Sequence, residues 1–137
     1  MALIHLDAGV VIGFLDAEDT HHDASRAVLE EALRSGHRLA MASSAFAECL
    51  VGPARRSEAA VGTVRDLFDR FPITVLPLTA ETAVVAARLR ARRPAVRLPD
   101  AIVIATAIEH EADQLVTTDR KWPSARVLKL AVVVRHM

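Results

Sequence analysis

What most limits the fold of this chain is a regular alternation. Short apolar runs at Leu3–Leu6, Arg38–Ala42, Ile73–Leu76 and Gln114–Thr117 are separated by long stretches with helical spacing. Strands that read as continuous apolar runs are covered on both faces. Connections long enough to hold a helix join parallel neighbours, whereas antiparallel ones need only a tight turn. The reading is α/β: a three-layer α/β/α sandwich around a central, mostly parallel sheet of four to five strands, with right-handed crossovers. A fifth strand is expected at residues 126–130, with 132–134 extending it or forming another.

The helices follow from caps and periodicity. A short buried helix is expected over 10–15. Thr20 with Asp23 reads as a capping box opening the next, which stops at Ser35-Gly36. Ser43 or Ser44 is expected to cap a third, ending near Gly52-Pro53. Residues 57–71 form a fourth, with Val61, Val64, Leu67, Phe68 and Phe71 on one face. Thr79 caps a fifth, which Pro94 ends. The sixth opens at Leu98-Pro99-Asp100, with Pro99 at the first helical position, and continues through Ala101-Ile102-Val103-Ile104-Ala105-Thr106-Ala107. It is apolar almost all round and is therefore expected to be buried.

At 137 residues, 52% of them apolar, the chain reads as one domain, 1–137, with enough length for a proper core. No window is apolar and uncharged over about 18 residues, so no membrane helix is expected. His5 and Asp7 interrupt the first apolar run too early for a signal peptide. The lone Cys49 excludes a disulfide framework and a thiolate zinc site, and points to a reducing cytoplasm. A formal net charge of +0 gives no bulk attraction to nucleic acid, which leaves only local charge to do that work.

The placement of acids is more informative. Asp7 follows the first strand and Asp119 the fourth; Glu48 lies in the helix after the second strand, and Asp100 opens the helix leading back to the fourth. In an open parallel sheet the functional crevice lies beyond the carboxyl ends of the strands. Carboxylates gathered there repel unless cations or protons intervene. Oxygen-only donors suit hard cations, Mg²⁺ or Mn²⁺, rather than zinc. Such a centre polarises a phosphoryl oxygen and activates water, which points to phosphodiester hydrolysis. Taken singly, each Asp is most simply a turn former or a helix cap.

The pattern resembles the PIN-domain ribonucleases, in particular VapC-type toxins of bacterial and archaeal toxin–antitoxin pairs. The matching pieces are Asp7 after an apolar strand, Ser44-Ala45-Phe46-Ala47-Glu48-Cys49-Leu50, Leu98-Pro99-Asp100-Ala101-Ile102-Val103-Ile104-Ala105-Thr106-Ala107, and Leu115-Val116-Thr117-Thr118-Asp119-Arg120. The resemblance implies a PIN-like fold and a divalent-metal-dependent endoribonuclease using Mg²⁺, with Mn²⁺ as the alternative. Asp7, Glu48, Asp100 and Asp119 would form the acidic metal cluster. Thr117 would orient water or the last Asp. It further implies an RNA substrate, a homodimer and a cognate VapB-type antitoxin that blocks the groove. One departure is Gly9, where the family often has Ser or Asn.

Other classes fit less well. A receiver domain needs paired acids near the first strand, and Asp7 has no acidic neighbour. A nucleotide binder needs a glycine-rich phosphate loop, which is absent. An Asp-nucleophile phosphatase places a second Asp where Gly9 stands. The alternative that survives is a catalytically inactive PIN-like scaffold binding RNA or protein.

Arg88, Arg90, Arg92, Arg93 and Arg97 form a basic strip before Asp100, suited either to RNA phosphates or to a helix C-terminus; Arg55-Arg56 is a weaker strip. His21-His22 reads as surface, since adjacent residues do not share a helix face. His110-Glu111 lacks the second His of a zincin. Trp122 is expected to pack beneath its loop, and Cys49 to be a small buried residue.

Overall fold

The computed structural model describes residues 1–122, 124, 126 and 133–137. Five strands, β1 (Leu3–Leu6), β2 (Arg38–Ala42), β3 (Ile73–Leu76), β4 (Gln114–Thr117) and β5 (Val133–His136), form one sheet in the order β3-β2-β1-β4-β5. Every neighbouring pair is parallel. The helices are α1 (Ala8–Leu15), α2 (His22–Arg34), α3 (Ser43–Arg56), α4 (Glu58–Arg70), α5 (Ala80–Arg92) and α6 (Leu98–Glu109). From β1 the chain steps outward through β2 to β3, then crosses back to place β4 on the other side of β1. Right-handed crossovers therefore put α1–α4 on one face and α5–α6 on the other.

The four expected strands match in their bounds. They do so because each is short, apolar and hemmed by turn or capping residues. A further strand, β5, begins within the expected 132–134 run and extends beyond it. Of the strand expected over 126–130, Arg126 is helical and not extended, and 127–130 lie outside the described residues. Met137 N–H donates to Thr117 O at 2.9 Å, continuing the β4–β5 pairing by one residue.

All of β1 is buried, and Leu6, Val10, Val11, Leu39, Met41, Ile104 and Leu115 are nearly or wholly excluded from solvent. Each such side chain contributes about 1.5–3 kcal/mol of burial free energy. The register is pinned by Asp113, whose carboxylate accepts from Leu3 N–H at 2.7 Å while its own N–H donates to Leu3 O. His5, in mid-strand, is fully buried, and among the described residues neither ring nitrogen has a hydrogen-bond partner. Burial, aided by the nearby His110, pushes its pKa down to about 4 and holds it neutral.

Several helix ends depart from expectation. The Thr20 capping box does not form. Asp19 organises that turn instead, its carboxylate accepting from His21 N–H at 2.8 Å, and α2 begins at His22 without a side-chain cap. Ser43 and Ser44 are helical rather than capping; Ala42, in extended conformation, precedes α3. Helix α3 runs through Pro53 to Arg56. Gly52 has no Cβ to meet the proline ring, so the ring's usual veto on the preceding residue is relaxed. Pro99 is the second helical residue, with Arg97 at the N-cap.

The α2 terminus ends as read. Gly36, at φ +73°, lets Gly36 N–H reach Leu33 O and His37 N–H reach Ala32 O, closing a Schellman turn before β2. A side chain there meets no neighbour, so the penalty is purely conformational. Gly36→Ala is expected to destabilise the protein by about 1 kcal/mol in urea denaturation, with an unchanged circular dichroism spectrum.

Candidate active site

Strand order reverses between β1 and β4, and their carboxyl ends open the crevice of the sheet. Asp7 stands just past β1 as the N-cap of α1, with its Oδ1 accepting from Ala8 N–H at 2.9 Å. Its Oδ2 accepts from Thr117 Oγ1, the last residue of β4, at 2.9 Å. Thr117 Oγ1 in turn accepts from Asp119 N–H at 3.0 Å. One threonine thus orients the first acid and fixes the backbone of the last. Thr117 is fully buried, so its rotamer is held by packing.

The other acids reach the same place by different routes. Cys49 Sγ lies 3.9 Å from Ala8 O, so α3 runs beside the start of α1 and sets the exposed Glu48 within electrostatic reach of Asp7. Asp100, in the first turn of α6, also acts on Asp7, and Asp119 acts on Asp100. The four acids named from the sequence therefore share one field at the carboxyl edge. Asp119 is also a turn former, its Oδ1 accepting from Lys121 N–H at 2.9 Å.

Burial raises Asp7 from 3.8 to about 6, opposed by its bonds to Thr117 and Ala8 and reinforced by Asp100 and Glu48. Asp100 is raised by burial and by Asp119, while the Arg97 guanidinium holds it down; Arg97 Nε lies 3.7 Å from Asp100 Oδ2. Both donors to Asp7 are neutral, a hydroxyl and a backbone N–H. Among the described residues, no three His, Cys, Asp or Glu side chains stand as a ready-made cage for an ion. The donor set nevertheless fits a hard divalent cation. It is all oxygen, and burial together with the neighbouring Asp100 and Glu48 penalises the charge of its most buried member, Asp7, a penalty a bound cation would offset.

The PIN domain family model matches residues 4–128. The chain belongs to the PIN-domain family. No curated protein matches its sequence. Among solved structures, VapBC2 from Rickettsia felis, bound to a DNA fragment of its promoter, superposes with TM-score 0.74 at 16% identity, covering 98% of both chains. A toxin–antitoxin complex from Klebsiella pneumoniae gives 0.63 at 21%, covering 88% of both. The Mycobacterium tuberculosis toxin VapC20, described as cleaving the sarcin–ricin loop, gives 0.67 at 16%, covering 86% of this chain and 91% of that one. These likenesses establish the shared fold.

The remaining expectations sort by contact. Trp122 is buried as expected, but at the site: its indole N–H lies near enough to Asp100 to help lower that carboxyl, while closing no hydrogen bond of standard geometry. No sequence signal links the two residues, because only the loop after β4 brings them together. Arg90 is committed to the α5–α6 loop, donating to Pro94 O and to Val96 O, the latter at 3.1 Å. His22 Nδ1 pairs with Gly13 O at 2.9 Å, tying α2 to α1, so it is less free than a surface residue. Cys49 is inert: burial, with Glu48 and Asp7 nearby, pushes its thiol up to about 12.

A carboxylate whose folded-state pKa is raised favours folding only where it is protonated. The folded state binds that proton more tightly, so Asp7's own contribution to stability is fully present below about 4 and is lost as pH rises through about 6. Asp7→Asn keeps the cap without the charge. With a chelator present, the variant is expected to exceed wild type in urea-denaturation stability at pH 8 by roughly 2 kcal/mol, with the gap closing near pH 4. The buried His5 titrates in both proteins and cancels from the difference. A gap independent of pH would show that Asp7 carries no buried charge.

Proposed function

We propose that this PIN domain is a divalent-metal-dependent endoribonuclease, the toxin of a type II toxin–antitoxin pair. The observation that carries the reading is the convergence of Asp7, Glu48, Asp100 and Asp119 on the strand-order reversal, where the acids act on one another and only neutral donors reach the most buried of them. The toxin–antitoxin complex and the sarcin–ricin-cleaving toxin among its structural neighbours support it.

Mg²⁺, or Mn²⁺ in its place, would be held by Asp7 and Asp100, with Glu48 and Asp119 completing the acidic set. Bound there, it would neutralise phosphoryl charge and make water a better nucleophile. The protein's own part is orientation. Thr117 and Ala8 N–H fix both Asp7 oxygens, and Asp119 N–H keeps the Thr117 hydroxyl pointed at Asp7. Buried Trp122 and the mostly apolar buried flank of α6 keep bulk water from one side of the site. In the hydrolysis, water adds to phosphorus, the P–O bond to one ribose breaks, and that oxygen takes a proton.

The exposed Arg92 and Arg93, at the end of α5, are assigned to flanking phosphates; Arg90 is excluded by its loop bonds. A groove of about 1160 Å³ between the end of α1, α3 and α4 adjoins Glu48, lined by Phe14, Leu15, Val51, Pro53, Val64 and Leu67. It is the assigned seat of the VapB-type antitoxin. A homodimer in the cytoplasm completes the proposal.

A non-catalytic RNA- or protein-binding scaffold is the second reading, favoured by the lack of a preformed cage among the described residues. The two separate on one measurement. Asp100→Asn is expected to lower Mg²⁺-dependent cleavage of RNA at least about 100-fold with an unchanged circular dichroism spectrum, and chelation should abolish wild-type cleavage. Cleavage that survives either change overturns the metal assignment, and absence of cleavage in wild type establishes the scaffold. Separately, Arg92→Ala with Arg93→Ala should reduce the slope of log affinity against log salt by about 0.7 for each phosphate no longer neutralised. An unchanged slope removes these arginines from the RNA path.

A further inference from the structure

Gly9 is the second residue of α1, within one turn of the Asp7 carboxylate. Its φ is not positive, so backbone freedom does not explain the glycine. Space does. A Cβ at position 9 would collide with Thr118 Oγ1 and lie 3.4 Å from its Cβ and 3.5 Å from its Cγ2. The Thr118 side chain fills the volume that a residue at 9 would use, so a side chain there and this hydroxyl rotamer exclude each other.

Thr118 sits between Thr117, which bonds Asp7, and Asp119, which acts on Asp100. It is half-buried, and among the described residues its hydroxyl has no protein partner. A half-buried hydroxyl left unpaired by the protein is satisfied by water. Carboxylates only accept hydrogen bonds, and the Thr118 hydroxyl, lying between Thr117 and Asp119 in sequence, can donate one. We propose that Thr118 is a positioning residue whose hydroxyl, occupying the space vacated at Gly9, donates to the hydration waters of a divalent ion at the acids. This rests on the metal-dependent reading above.

The test moves the hydroxyl. Thr118→Val keeps the shape and removes the donor; Thr118→Ser keeps the donor; Gly9→Ser combined with Thr118→Ala returns a hydroxyl from the opposite side. Mg²⁺ affinity is read by calorimetry and by the Mg²⁺-dependent rise in melting temperature, alongside kcat and KM for RNA. Thr118→Val is expected to weaken Mg²⁺ binding and to lower kcat by about tenfold, the usual scale for a group acting through a metal's surroundings, with KM little changed. Thr118→Ser should stay near wild type, and the double variant should recover most of the activity missing in Thr118→Ala. Wild-type Mg²⁺ affinity in Thr118→Val, or a double variant no better than Thr118→Ala, overturns the role of Thr118 while leaving the nuclease reading intact. A wild-type protein that neither binds Mg²⁺ nor cuts RNA overturns both.

Discussion

A single hydrogen bond spans the point on which this architecture turns. Thr117 Oγ1 reaches Asp7 Oδ2 across 110 residues of sequence and joins the carboxyl ends of the two strands where the sheet reverses its order. It forms only if β1 and β4 are adjacent, parallel and in the register Leu6↔Val116. That register in turn requires the apolar α6 to cross the sheet and return the chain beside β1. A one-residue slip would turn Thr117 to the opposite face. The sheet, the last crossover and the site therefore stand or fall on the same alignment.

The bond also explains how a buried carboxylate is tolerated. Burial alone penalises the Asp7 anion, and Asp100 and Glu48 add repulsion. Two donors on Asp7 offset part of this and leave its pKa raised to about 6. Elsewhere the fold keeps titratable groups silent: His5 is held neutral by burial and Cys49 is held as a thiol. Asp7 and Asp100, both raised by burial and by neighbouring acids, lie together at one edge, an arrangement characteristic of sites that bind ligands.

The expectations that held share a cause, as do those that failed. Strands β1 to β4 matched because their apolar runs end at Asp7, Ser43, Pro77 and Asp119, which local chemistry reads as stops. The Schellman turn at Gly36 and the cap at Thr79 are local as well. Helix ends failed where a tertiary contact overrode the local rule. Helix α3 passes Pro53, which is buried against the rest of the protein, and Ser44 Oγ is buried with no partner among the described residues instead of capping. Thr20 does not cap α2: Asp19 closes the preceding turn on His21 N–H, and His22 at the start of α2 bonds Gly13 O of α1.

The sequence by itself determined that this is a parallel α/β chain with acids placed after strands and at a helix mouth. Those features depend on periodicity and on residues within a few positions of one another. Only the tertiary structure decided that Trp122 lies against Asp100, that Arg90 is spent on the α5–α6 loop, and that a Cβ at Gly9 would meet the Thr118 hydroxyl. Each of these is a contact between segments that meet only after strand order and register are set. Exclusion of one side chain by another at short range leaves no trace in hydrophobic pattern.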